Sequence, residues 1–286
     1  MSNRSYRLVQ PNDARSCVIF SSPHSGAEYS AKFLAETRLD ALALRSSEDA
    51  FVDELFSSAP EHGAPLITAK VPRAFVDLNR AADELDPSII LGAKVSGVNP
   101  RIAAGLGVIP RVVSNSQVIR NGKMSLTEAK ARVAEFHTPY HNRLSQLIKN
   151  HRVRFGMAIL VDCHSMPKEA LDAAPLVDRQ APDIVLGDRF GASADRWVSD
   201  MARNIFEDAG FKVARNAPFA GGYITKHYGH PSRGIHALQV EINRAVYMDE
   251  SQVVRRDDFD EVKNALSTAI SKIAALGAKP INIAAE

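Results

Sequence analysis

Short apolar runs alternate along the chain with stretches whose apolar residues recur every three or four positions, the pattern of a layered α/β domain around a substantial central sheet. Cys17–Phe20 predicts a first strand, cut off by Pro23 and Gly26 so that His24 sits just past its end. Ile67–Val71 and Phe75–Leu78 read as strands separated by Pro72, with a polar loop following at Asn79. Met157–Val161 runs into Asp162-Cys163-His164-Ser165 and reads as a central buried strand; Ile184–Leu186 and His236–Ile242 read as later ones. Helical spacing predicts a segment opened by Ser46-Ser47-Glu48-Asp49, with Ser46 and Asp49 as a capping box, ending near Gly63. It also predicts one long helix over Ser125–Lys149, another near Ser193–Ala209 and a last one over Phe259–Leu276. Gly105–Arg111 reads as a glycine-rich loop and Asn121-Gly122 as a turn. With no linker and no internal repeat, a single domain over residues 1–286 is expected.

Composition narrows the classes. At 286 residues, 45% hydrophobic and 24% charged, the chain has volume for a full core, which excludes stapled miniature scaffolds, fibres and disorder. Its 35 Lys and Arg against 33 Asp and Glu leave a formal charge of +2, too weak a field for a nucleic-acid partner. No run approaches the ~18 apolar residues of a membrane span. The first residues lack the charged, apolar and small-residue order of an export leader. Cys17 and Cys163 read as free thiols of a reducing compartment, so a cytoplasmic protein is expected.

Of nine histidines, only His24 and His164 close apolar strands in turn-forming sequence, where groups of an α/β sheet converge. Either one alone is explained as a strand cap bonded to backbone. Two imidazoles with one carboxylate, however, form the usual ligand set of catalytic zinc, with one position left open. Alternation along the strand puts Asp162 and His164 on one side and Cys163 on the other. Asp162 can therefore orient His164, while Cys163 packs as a small buried residue. In the late strand, Gln239 and Glu241 share a face opposite Leu238, Val240 and Ile242. A carboxylate held there needs an arginine partner or a cleft in which it acts as a base. Arg73, Arg80, Arg111 and Arg244 lie in or beside loops and can grip a carboxylate bidentately. The sequence has no G-x-S-x-G elbow and no phosphate-binding loop, and Gly105-x-Gly107 lacks the rest of a dinucleotide fingerprint.

Taken in order, Pro23-His24-Ser25-Gly26, Glu48-Asp49, Val76-Asp77-Leu78-Asn79-Arg80, Gly105–Arg111, Pro139-Tyr140-His141, Asp162-Cys163-His164-Ser165, Gly221-Gly222-Tyr223-Ile224 and Gln239–Arg244 resemble the N-formylglutamate amidohydrolase family. The resemblance implies a three-layer α/β/α sandwich with a central mixed sheet, like that of zinc carboxypeptidases, and hydrolysis of a linear amide at one zinc ion per chain. By position it implies His24, His164 and a carboxylate of the Glu48-Asp49 pair as metal ligands, with Asp49 preferred and Glu48 a competitor. It implies Glu241 as general base and Asn79 with Arg80 as the grip on the substrate carboxylate, with Arg73, Arg244 and Tyr223 as further substrate contacts. The expected substrate is a small anionic N-acyl amino acid, foremost N-formyl-L-glutamate from histidine breakdown. The alternatives are a related deacylase or peptidase acting on another N-acyl amino acid, and a non-catalytic binder of a small acidic ligand.

Overall fold

The computed structural model describes residues 4–94, 99–172, 176–178 and 180–276. Seven strands form one mixed sheet: β1 (Tyr6–Val9), β2 (Val18–Ser22), β3 (Leu66–Ala69), β6 (Ala158–Met166), β7 (Ile184–Gly187), β8 (Val213–Arg215) and β9 (Ile235–Asn243). Two outlying two-stranded pairs are β4 (Ile90–Leu91) with β5 (Met124–Ser125), and β10 (Met248–Asp249) with β11 (Val254–Arg255). The order across the main sheet is β1-β3-β2-β6-β9-β7-β8. β3, β2, β6 and β9 run parallel, and β1 and the β7-β8 pair run against them. The helices are α1 (Ala31–Glu36), α2 (Ala41–Arg45), α3 (Val52–Leu55), α4 (Pro100–Ala103), α5 (Leu126–Arg132), α6 (Thr138–Phe155), α7 (Arg196–Asp208), α8 (Tyr223–Tyr228) and α9 (Phe259–Ala275).

The sheet buries a core on each face. Val161, Cys163, Leu238, Val240 and Ile242 pack with α3, α7 and α9 on one side. Ile19, Leu160 and Ala237 pack with α6 and α8 on the other. Cys163 is thus a buried free thiol facing away from His164, as strand alternation requires. Asp162, His164, Gln239 and Glu241 continue the α6-side face beyond its apolar part, and the parallel register sets Asp162 opposite Gln239 and His164 opposite Glu241.

Several sequence expectations are corrected. Phe75–Leu78 is not a strand: Phe75 and Val76 both donate their N–H to the Pro72 carbonyl, a turn that swings the following segment across the sheet end. Ser46 and Asp49 form no capping box. The Ser46 hydroxyl donates back to the Ala43 carbonyl and closes α2, and α3 begins only at Val52, after Phe51 in the left-handed region at φ 66°. His164 lies inside β6 rather than past its end, because pairing with β9 continues to Met166. The helix expected over Ser125–Lys149 runs on to Phe155 and is interrupted by a π-helical turn at Val133–His137. Pro139 explains the interruption: it has no N–H for the ladder and its ring crowds the preceding turn, so Thr138 donates five residues back to Val133.

Candidate functional site

At the C-terminal ends of the parallel strands β2, β6 and β9 lies a cleft of about 610 Å³. Its walls carry His24, Asp49, Arg73, Arg80, His164 and Glu241. His24 follows β2 in a tight turn whose Gly26 passes so close to the segment after β3 that a Cβ there would stand 2.1 Å from the Val71 carbonyl oxygen. The His24 carbonyl accepts the Asp49 N–H at 3.0 Å, tying the two loops together.

His24, Asp49 and His164 are buried, and one ligand atom from each lies within 4.8 Å of the others. Asp49 Oδ2 stands 2.9 Å from His164 Nδ1 and 3.5 Å from His24 Nδ1. Each imidazole is held from behind at Nε2 by a carboxylate: His24 by Asp77 Oδ1 at 2.7 Å, and His164 by Asp162 Oδ2 at 3.0 Å. A carboxylate behind each ring favours a proton on Nε2, so that Nδ1, which faces Asp49, could turn its lone pair to a bound metal, the usual support of a metal-ligating histidine. Two such nitrogens and one carboxylate oxygen fit a divalent ion of the zinc class. Glu48 points away from this group, accepting from the Tyr29 hydroxyl and from Arg45 Nε at 3.1 Å.

Glu241 projects from β9 beside the triad and is 8% exposed. Burial pushes its carboxyl up to about 7, with Asp49 adding to the rise while His164, Arg73 and Arg244 pull it back. Gln239 Nε2 donates to Glu241 Oε1 at 2.7 Å, and Gln239 Oε1 accepts the Gly222 N–H at 2.7 Å. Burial works against the ionised form of Asp49, but His164 and His24 outweigh it and hold the carboxyl well below the usual range.

The arginines divide. Arg244 spends Nε on Ser165, Nη1 on the Ser46 carbonyl and Nη2 on Asp49 Oδ1, so it braces the carboxylate of the triad. Arg73 donates to Asp77 Oδ2 at 3.1 Å and still lines the cleft. Arg80 donates Nε to the Leu106 carbonyl and Nη1 to the Asn79 carbonyl, which fixes its plane and leaves one Nη1 hydrogen and both Nη2 hydrogens for an anion. Arg111 pairs with Asp86 instead. Tyr223 stacks on His227 and is not part of the cleft wall, whereas Gly222 is: a Cβ there would stand 2.4 Å from Asn79 Nδ2.

Three contributors escaped sequence reasoning. Asp77 was visible only as part of Val76-Asp77-Leu78, because its partner His24 is remote in sequence. Gln239 shares a face with Glu241 in the sequence pattern, but its bond to the Gly222 N–H is not legible there, and Arg101, at the cleft mouth, stands in no motif.

The chain is similar to known proteins over most of its length. The N-formylglutamate amidohydrolase family model matches residues 16–248. The chain is 30% identical over 252 residues to an N-formylglutamate deformylase of Pseudomonas aeruginosa, covering 87% of this chain and 89% of that one. It is 28% identical over 278 residues to one of Pseudomonas putida, covering 96% and 98%. The crystal structure of N-formylglutamate amidohydrolase from Ralstonia eutropha superposes with a TM-score of 0.88 at 29% identity, covering 96% of this chain and 98% of that one. A buried histidine and carboxylate cluster, a strand-borne glutamate and arginines around one cleft thus occur in a chain matched over most of its length, which belongs to the N-formylglutamate amidohydrolase family of amide hydrolases.

Proposed function

We propose that the chain cleaves the formamide bond of N-formyl-L-glutamate, giving formate and L-glutamate, with one zinc ion held by His24, Asp49 and His164. The observation that carries this reading is the convergence of that triad with Glu241 in a cleft also lined by Arg73, Arg80, Arg101 and Arg244. The reading is supported by the names of the Pseudomonas relatives. Zinc, when bound, supplies Lewis acidity that polarises the amide carbonyl and acidifies a water. Glu241 takes the proton of the attacking water on its Oε2, a reading supported by the hold of Gln239 on Oε1. The same carboxyl then returns the proton to the departing nitrogen, which leaves as the amine. Arg80 grips the substrate α-carboxylate and so sets the formyl carbon against Glu241. Among the described residues no helix is long and apolar enough to cross a membrane. Action on a small metabolite in the cytoplasm, in histidine breakdown, by the whole chain as one domain completes the proposal.

The test follows formate and glutamate release from N-formyl-L-glutamate beside N-acetyl-L-glutamate and N-formyl-L-aspartate, with zinc, with a chelator, and after zinc is restored. Equimolar products from the formylglutamate alone, abolished by the chelator and recovered with zinc, are expected. Faster turnover of the acetyl compound transfers the chain to a related deacylase. Absence of any turnover, with no zinc bound, leaves a binder of an acidic ligand.

A further inference from the structure

The Leu78-Asn79-Arg80 segment carries the grip on the substrate, yet it is irregular backbone buried against the sheet end: Leu78 is 0%, Asn79 4% and Arg80 8% exposed. Buried carbonyls outside regular structure need partners, and here side chains provide them. His141 Nε2 lies 2.8 Å from the Leu78 oxygen, Arg80 Nη1 lies 2.8 Å from the Asn79 oxygen, and His137 Nε2 lies 2.9 Å from the Arg80 oxygen. A carbonyl oxygen can only accept, so both Nε2 atoms carry protons and donate. The two rings lie against each other at 4.1 Å between centroids, tilted by 33°, one helical turn apart across the junction between the π-helical turn and α6. The Tyr228 hydroxyl sits 2.9 Å from His141 Nδ1 and 3.2 Å from the His141 carbonyl oxygen, and an Nδ1 that accepts from it suits the same tautomer. Burial, reinforced by His137, pushes His141 down to about 3, so it stays neutral with a single N–H. Neither histidine lines the cleft.

We propose that His137 and His141 are positioning residues, a paired clamp that holds the Leu78–Arg80 backbone so that Asn79 and Arg80 face the substrate. From that clamped segment, Asn79 Oδ1 accepts the Ile224 N–H, and Arg80 presents its free guanidinium hydrogens. The clamp therefore acts on substrate alignment through the backbone, without touching substrate. This inference rests on the reading of Arg80 as the carboxylate grip.

The test compares His137→Leu and His141→Leu, which remove the donor, with His137→Gln and His141→Gln, which keep an N–H. For the Leu variants, KM for N-formyl-L-glutamate should rise about tenfold, the size of one buried hydrogen bond, with bound zinc unchanged. The Gln variants should recover most of that loss, which a merely structural role would not allow. Hydrogen exchange across residues 78–84 should quicken in the Leu variants while exchange in β6 stays at the parental rate. Parental KM and parental exchange in folded Leu variants, or Gln variants as impaired as Leu, overturn the clamp. Should the Leu variants not fold, Tyr228→Phe decides: faster exchange across 78–84 supports the clamp, and unchanged exchange overturns it. If the parent does not turn over N-formyl-L-glutamate, the proposed function fails, and the exchange measurement alone judges the clamp.

Discussion

Glu241 and Gln239 leave β9 on the same side, and the amide between the Gly222 N–H and Glu241 Oε1 leaves the other carboxylate oxygen free for a proton. Glu241→Gln keeps the shape but cannot accept that proton. It is expected to retain zinc and fold while kcat falls by ~10² or more, since a positioned base contributes about 10² to 10⁴. Steady-state kinetics on zinc-loaded variant and parent check this; an unchanged kcat returns Glu241 to a purely structural place. The neighbouring carboxylates Glu48 and Asp49 make the sharper comparison. Asp49→Asn should lose zinc by elemental analysis, whereas Glu48→Gln should keep it, because Glu48 is spent on Tyr29 and Arg45. The reverse order moves the ligand to Glu48. The sequence left this pair open for a physical reason: adjacent loop residues share composition and spacing, and only their partners, brought in from elsewhere in the fold, separate them. Arg244 shows the same limit. It was legible as an arginine beside the Glu241 strand, but its place behind Asp49 depends on Ser46 and Ser165, both remote in sequence.

At the scale of elements, what periodicity could carry was legible: the strand at Met157–Val161, the alternation of Gln239 and Glu241 against Leu238 and Val240, and the helices corresponding to α7 and α9 all have regular patterns. Where the chain satisfies its backbone with side chains or nearby turns, pattern failed, as in Phe75–Leu78 and in the segment from Ser46 to Phe51. The wall of the cleft at Pro218–Gly222 belongs to this second kind. It leaves β8 through Asn216, in the left-handed region at φ 58°, and is anchored by Asp188, which accepts from Arg215 Nη2 at 2.7 Å and Asn216 Nδ2 at 2.8 Å. Burial opposes the Asp188 charge, yet the hydrogen bonds donated to it, those of Arg215 and Asn216 among them, together hold its carboxyl below the ordinary value. A depressed folded value adds stability above the unfolded carboxylate pKa of about 3.9, and that contribution is lost as pH falls through the folded value. Asp188→Asn should therefore cost about 1 kcal/mol at pH 7, the size of one hydrogen-bonded charge lost. Denaturant titrations of both proteins should show the difference shrinking below about pH 4; a difference independent of pH would assign it to packing.

Over the whole molecule, the triad joins three separate stretches: the loop after β2 bears His24, the loop before α3 bears Asp49, and β6 bears His164. An ion bound by all three reports on the packing of both sheet faces, because α3 belongs to one core and the His24 turn leans on the edge of the other. No comparable arrangement exists in the unfolded chain, so zinc held by the triad, as proposed, would favour the folded state. At free zinc about 100 times the dissociation constant, the gain is about 2.7 kcal/mol. For a chain of this size, that is expected to raise the unfolding temperature by about 5 °C. Calorimetric scans of the zinc-loaded and chelated parent should show this shift, and His24→Ala and His164→Ala should fold yet show almost none of it. If either variant keeps both the shift and full zinc occupancy, the ion is held elsewhere in the molecule and the triad is a hydrogen-bonded core cluster.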